Sequence, residues 1–507
     1  RTNLINQPVA GAFYLIGIEL DRTEPVAGGT FDPLAPSIRI SIEVADPDAP
    51  TPLPRVAGDV LRIDNLSYTA PSFFVSPTGD DSAAGSEAAP FATLQHAVDR
   101  AQPGDVVFLL DGTHVAPPEQ MLARIAKAGA PDRWIVLRSQ PGQNPVLTGE
   151  GWNVIGLDHD SAYIELRDLV VRGQRKKFTI EQALADTKSG QPADPKFNTN
   201  GLALDARKGR EDGGKAHHIR FIRCTVSDVP GGGLSAIAGD HITLEGNVVQ
   251  DNAHLMRFAG SGISVFRAWD FDTDTGYKNF VLSNRAHGNR CYIPWGVVGR
   301  ISDGNGIIID DFINYQPGAS KIPYRGRTLV ANNLTFGNGG SGIHAYAANH
   351  VDIVNNTAYH NAQSPELVWR QIYAGGKCRD IRVVNNILYA QRGRPLNFTV
   401  SKDSKEILYA HNLIHGDGDN DVQSGGGLGT GTAVANAGAQ LGGVRADPLF
   451  VRASLDPATA DFHLTPGSPA LDAATSAYDF IPTRDLDGHP RPAGPALDIG
   501  AYELPAR

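Results

Sequence analysis

The chain has 507 residues, with 56 glycines, 34 prolines, three cysteines and a net charge of −10. That acidic balance excludes the broad basic surface that nucleic-acid binding needs, and no run of about 18 apolar residues is present to span a membrane. Cys224, Cys291 and Cys378 are far apart and show no C-x-x-C spacing, which excludes a disulfide framework or a zinc site and leaves room for one bridge at most.

Residues 1–70 contain strand-like pieces, "GAFYLIGIEL" and "SIRISIEVA", and close on "GDVLRIDNLSY", which looks like the last strand of a carbohydrate-binding β-sandwich. The stretch is short for a complete module, so it reads as a partial module or as a β-rich extension. The pattern changes from residue 71. "FATLQHAVDRAQPGD" has helical spacing and ends at Pro-Gly, predicting an amphipathic helix that caps an open strand edge, and "VVFLL" follows as a buried strand. Residues 174–216 are polar and rich in Lys and Arg, predicting a long loop, helical near "IEQALAD", that carries positive charge over a groove.

From residue 217 a nine-residue theme recurs: "HIRFIRCTV", "HITLEGNVV", "NFVLSNRAH", "TLVANNLTF", "HVDIVNNTA", "DIRVVNNIL" and "EILYAHNLI". Each copy alternates apolar and polar residues up to an asparagine, at 247, 284, 333, 356, 386 and 412, with Cys224 in the first copy. The shortest spacing, 23 residues, suits one coil of a parallel β-solenoid. Stacked coils align equivalent side chains, so these asparagines predict an amide ladder at a left-handed turn, and Asn252, Asn289, Asn338 and Asn361 predict a second one.

A second theme follows: "GGGLSAI", "GSGISVF", "GNGIIID" and "GSGIHAY". Aligned on glycine, Leu234, Ile263, Ile307 and Ile343 form an inward column. Ser264, Ile308 and His344 then point outward, as do Phe266, Asp310 and Tyr346, while Asp311 opens the following turn. Longer insertions interrupt the repeat at 267–277, 290–302, 312–325 and 362–377, and long loops on one side of a solenoid predict the walls of a binding groove.

Residues 73–118, "FFVSPTGDDSAAGSEAAPFATLQHAVDRAQPGDVVFLLDGTHVAP", resemble the opening segment of right-handed parallel β-helix proteins, notably pectate-lyase-like and alginate-lyase-like polysaccharide lyases. "ADFHLTPGSPALDA" and "DLDGHPRPAGPALDIGAYE" resemble their closing segment. The resemblance covers roughly 72–503 and implies an all-β, right-handed parallel β-helix over 71–507, with an N-terminal capping helix and residues 1–70 as a small β extension. Lyases, hydrolases, epimerases and adhesins share that architecture, so it specifies activity poorly. It implies a polysaccharide-degrading enzyme, secreted or periplasmic with its leader removed, acting on a polymer that is anionic if the chemistry is elimination.

Two chemistries fit a long groove. A lyase needs a base beside a neutralised uronate carboxylate, and Lys278, Arg267, His344 and Tyr277 are the nearby candidates. Asp270, Asp272 and Asp274 alternate as in a calcium loop, making Ca²⁺ the one candidate cofactor, although the glycine spacing is not that of an EF-hand. A hydrolase needs two carboxylates, and Asp303, Asp310 and Asp311 are the candidates. Extended chain from Asp303 to Asp310 would span about 23 Å, so the expected partner of Asp310 comes from a neighbouring coil or loop. Trp269, Tyr277, Trp295, Tyr346, Arg257 and His254 are the expected substrate contacts. The expectation is a uronate-directed polysaccharide lyase, with glycoside hydrolysis as the alternative and a non-catalytic glycan-binding solenoid as a third reading.

Overall fold

The structure, a computed structural model, describes residues 72–207, 216–367, 370–391, 403–416 and 442–505, and, as backbone alone, five further strands: Thr2–Ile5, Phe13–Asp21, Ser37–Ala45, Phe398–Ser401 and Val422–Gly425. The chain forms two compact units, Arg1–Tyr68 and Thr69–Arg507. In the first, three antiparallel strands pair in chain order. "GDVLRIDNLSY" lies outside the described residues.

The second unit is a parallel β-helix. Its coils feed three sheets of 10, 11 and 11 strands in which every neighbour pair is parallel. We call the 10-stranded sheet the groove sheet and the others the second and third, in the order each coil visits them. The inward column holds as expected: Leu234 pairs with Ile263, Ile263 with Ile307, and Ile307 with Ile343, all fully buried. Each such side chain contributes about 1.5–3 kcal/mol by leaving water, and β-branched residues suit these short strands because their stiff side chains fill a pleated interior.

Both asparagine ladders form between the second and third sheets and beyond the third. In the first, each Asn Oδ1 accepts the backbone and side-chain N–H of the Asn one coil earlier, at 2.8–3.0 Å from Asn247 through Asn412. Cys224 begins this ladder by donating its backbone N–H to Asn247. The second runs from Asn252 through Asn361 and ends on the Gln371 amide. The left-handed backbone, however, belongs to the residue before each ladder asparagine: Arg223, Gly246, Ser283, Asn332, Asn355, Asn385 and His411 all have φ of 51–67°. The two jobs are therefore divided between adjacent residues. In the Asn-Asn pairs the second amide points inward to the ladder, and the first points outward to the C-terminal segment. Asn332 donates to the Arg484 carbonyl, Asn355 to Asp498 and Asn385 to Thr475.

The N-terminal end of the solenoid is closed. Helix α1, Leu94–Arg100, starts at the Thr93 cap and buries Leu94, Ala97 and Val98 against the first coils. The Lys127 ammonium donates to the Val98, Asp99 and Ala101 carbonyls at its C-terminus, the end whose dipole favours a cation. Helix α2, Ile180–Lys188, forms inside the polar insertion and carries a Thr179–Gln182 capping box. The three cysteines are free and buried. Among the described residues no helix is long and apolar enough to cross a membrane.

Candidate active site

The outer face of the groove sheet carries two columns fixed by register. One runs Ser235, Ser264, Ile308, His344, Tyr373, and the other Ile237, Phe266, Asp310, Tyr346, Gly375. The His344 ring stacks on Tyr373, with centroids 4.7 Å apart, and Gly375 leaves the room: a Cβ there would come within 2.9 Å of His344 Nε2. Burial pushes the His344 imidazole down to about 3, so it is neutral in ordinary buffers.

Asp311 follows in the turn, with φ of 54° and a fully buried side chain. Its carboxylate accepts the Tyr315 N–H at 2.9 Å, the Gln316 N–H at 3.3 Å and Arg267 Nε at 3.1 Å. Arg267 also donates to the Pro317 carbonyl at 2.7 Å. Asp311 and Arg267 therefore hold the loop after the strand, and neither is free to act as acid or base. That loop delivers two groups to the groove. Gln316 Nε2 donates to Asp310 Oδ1 at 3.0 Å, and the Tyr315 hydroxyl meets that of Tyr346 at 3.0 Å.

Asp310 and Asp303 flank the Ile307–Asp310 strand. Each is packed deep among protein atoms yet keeps part of its surface open. Asp303 accepts the Ser302 hydroxyl at 2.8 Å and Asn305 Nδ2 at 3.1 Å, but burial outweighs these bonds and pushes its carboxyl up to about 6. Asp310 lies well above the usual carboxylate range, first because of burial and then because of the Asp303 and Asp311 charges, against a smaller opposing effect of Arg267 and Gln316. The charge of Asp303 reaches Asp310, although fully extended chain would hold the two about 23 Å apart. The strand is only four residues long, and Asp303 and Gly304 both have positive φ, 63° and 73°, so the chain turns instead of running extended.

Other expected residues lie elsewhere. Lys278 belongs to the second sheet and sits at a bulge, where Tyr277 pairs with Arg327 and Asn279 with the next residue, Thr328. A bulge re-aims a side chain, and here the Lys278 ammonium is fully buried, 2.5 Å from Asp240, 2.9 Å from Asp272 and 3.7 Å from Asp270. Burial opposes its charge, but the bonds and charges of Asp240 and Asp272 outweigh burial and raise its pKa, so it is no base. Tyr277 donates to Asp352 on the same sheet, with Arg382 beside both. Trp269 donates to the Ala216 carbonyl at 3.3 Å and anchors its loop. Trp295 lies in a hairpin bridged to Arg300. Arg257 holds the α2 insertion through Asp186 and Gln191. His254 lines a separate cavity on the third-sheet side.

The calcium reading fails a fit test. Calcium takes about six to eight converging oxygens, but the three aspartates diverge: Asp270 to Arg325 at 3.0 Å, Asp272 to Lys278 and to His241 at 2.8 Å, and Asp274 to the Gly276 N–H at 2.8 Å. The group that does converge is Asp240, His241 and Asp272, within 4.8 Å of one another, and the Lys278 ammonium already lies against both carboxylates. The residues present suit an internal cation.

Sequence reasoning missed Tyr373, Tyr315, Gln316 and Lys377. Extending the glycine-aligned theme by one coil, to "QIYAGG", would have placed Tyr373 in the His344 column. Lys377 is exposed, with its ammonium 4.5 Å from the Tyr315 ring centre. Gln316 carried no signal, because it reaches Asp310 only through the turn that Asp311 builds.

Comparison with known proteins agrees with this architecture. Residues 73–226 match the "Pel9A-like, right handed beta helix region" and residues 212–403 the "Right handed beta helix region". The chain is a right-handed β-helix protein. Over 81 residues the chain is 36% identical to pectate lyase PEL9 of Emericella nidulans, a match spanning 16% of this chain and only 19% of that protein. Among solved structures, pectate lyase Pel9A is similar at 15% identity over 86% of this chain and 97% of its own, with a TM-score of 0.45. A glycoside hydrolase is similar at 11% identity over 74% of this chain and 96% of its own, with a TM-score of 0.46.

Proposed function

We propose that this β-helix cleaves a polysaccharide by hydrolysis, with Asp310 as general acid and Asp303 as base or nucleophile. One observation carries the reading: two carboxyls lie near the two ends of a single groove strand, and both are raised by burial, Asp303 to about 6 and Asp310 well above the usual carboxylate range, where the charges of Asp303 and Asp311 add to burial. A carboxyl held protonated beside a second carboxyl is the arrangement from which a glycosidase draws its acid and base. Asp310 would give its proton to the leaving glycosidic oxygen. Asp303 would then activate water, or attack the anomeric carbon directly, according to the separation of the two groups in the bound complex. Tyr346 and Tyr373 offer ring faces along the groove on which a sugar can pack, and Gln316 orients Asp310. Action on a polymer of this kind fits a secreted protein.

β-Elimination, the expectation the sequence puts first, retains one supporting observation. Lys377 stands exposed beside the Tyr315–Tyr346 hydroxyl pair, where its charge would suit a uronate carboxylate. The test is a panel of neutral and anionic polysaccharides followed at once by reducing ends and by ultraviolet absorbance. New reducing ends without absorbance support the acid pair. Absorbance rising in step with reducing ends means elimination and transfers the chemistry to Tyr346 and Lys377.

A further inference from the structure

A cavity of about 310 Å³ opens on the flank of the third sheet, outside the groove, between the loop bearing Arg290 and Tyr292 and Leu455 of the C-terminal segment. Its floor is His287, stacked on Phe336 with centroids 4.5 Å apart. Its wall is Tyr292, with the His254 ring edge-on at 5.1 Å and the Arg290 guanidinium 4.7 Å from the ring centre. Two glycines permit the close packing around it. A Cβ on Gly339 would come within 2.5 Å of the Arg290 stem, and one on Gly288, where φ is 65°, within 2.5 Å of Asp251 Oδ1.

The polar groups here are poorly compensated. Arg290 Nε is buried and donates to no protein atom, and among the described residues no carboxylate pairs with the guanidinium. A buried donor left in this state is a site for an incoming acceptor. Gln363 commits its amide nitrogen to the His360 carbonyl at 2.7 Å and to Gln391 at 2.8 Å, which turns its amide oxygen into the remaining acceptor. Burial raises the Asp251 carboxyl and lowers His254 to about 4. The cavity thus holds a donor, two acceptors, neutral imidazoles and apolar edges from Tyr292 and Leu455. Pockets of this size suit a small ligand.

We propose that this cavity is a secondary binding site for one neutral sugar residue of a glycan. A sugar presents hydroxyls that donate and accept around one rim and a C–H face that packs on an aromatic ring. That pattern matches Arg290, Asp251 and Gln363 around Tyr292. A free anion is the poorer fit, since it would be bound by one guanidinium while facing the Asp251 carboxylate. The site is independent of the hydrolytic reading, because it uses none of the groove residues.

The test uses the full chain carrying Asp310→Asn, so that nothing is turned over. Xylose, galactose, mannose and galacturonate are titrated by calorimetry and by saturation-transfer NMR. At least one neutral sugar is expected to bind saturably. That binding should weaken tenfold or more in Tyr292→Ala and in Arg290→Gln, and should be unchanged in the groove variant Tyr373→Ala. Leu455→Trp fills the cavity mouth from the C-terminal segment, and should abolish the same binding in a chain whose melting temperature is unaltered. Failure of every neutral sugar to bind, binding of galacturonate alone, or loss of binding in Tyr373→Ala but not in Tyr292→Ala would each overturn the proposal.

Discussion

Two acidic clusters lie on neighbouring sheets of the same solenoid and differ in how their charge is balanced. Asp240, Asp270 and Asp272 enclose Lys278, with Arg325 and His241 completing the set, so that every carboxylate has a cation beside it. Asp310 lies in the field of Asp303 and Asp311, and among the described residues only neutral donors bond to Asp303 and Asp310: Ser302, Asn305 and Gln316. The first arrangement fixes a loop, and against the opposing effect of burial the Lys278 and His241 bonds hold the Asp272 carboxyl below the usual carboxylate range. The second leaves both carboxyls above the usual carboxylate range, which suits the proposed acid–base pair.

Removing the acid is the sharpest way to break this contrast. Asp310→Asn should lower kcat/KM on the responsive polysaccharide by about 10²–10⁴-fold, the usual contribution of a positioned general acid. Stability should move the other way. A carboxyl whose folded pKa is raised favours the folded state at low pH, and that benefit is lost as pH climbs from the unfolded to the folded value. For Asp303 the loss falls between about pH 4 and pH 6 and amounts to roughly 2–3 kcal/mol at most. Either Asp→Asn variant should therefore melt higher than the parent at pH 8. A variant that keeps its turnover, or that melts lower at pH 8, would remove the carboxyl from the active site.

The compensated cluster should respond in the opposite sense. Lys278→Met leaves Asp240 and Asp272 buried without their cation, and breaking such a pair costs about 3–5 kcal/mol. Urea midpoints should fall by a corresponding amount while the folded fraction keeps its kcat. Full stability with lost turnover would instead restore Lys278 as a base.

Smaller effects test the division of labour within the Asn-Asn turns. Asn333→Ala removes a fully buried ladder amide and should cost about 1–3 kcal/mol. Asn332→Ala removes an outward bond to the C-terminal segment and should cost about 1 kcal/mol while exposing that segment to protease. Equal costs would mean that the two amides are interchangeable.

These contrasts also explain what could be read from the sequence. The coil repeat, both ladders, the inward Leu234–Ile343 column and the outward placement of Asp310, His344 and Tyr346 follow from period-two alternation and the Asn spacing, so they were legible. The role of Lys278 was not, because a single extra residue at 277–279 turns its side chain inward and no local pattern marks the bulge. The proposed Asp303–Asp310 pair was hidden for a related reason: the span of extended chain no longer applies once two successive residues take positive φ. Arg267 and Asp311 were expected as catalytic groups, and their bond to each other, which makes them supports of the loop, appears only when the two turns are stacked.

The smallest expected effect is no effect at all, and it bears on the same contrast. If the Lys278 ammonium is the counter-ion of the second-sheet cluster, a divalent cation has no place beside Asp240 and Asp272 unless that ammonium leaves, at the free-energy cost of an unpaired buried charge. Treatment with a chelator should therefore leave both the melting temperature and the turnover of the parent chain unchanged, and added calcium should raise neither. A fall in melting temperature on chelation, restored by calcium, would mean that the cluster prefers a metal ion to its own lysine. The two acidic clusters would then differ in the ion they select and no longer in whether their charge is balanced from within the chain.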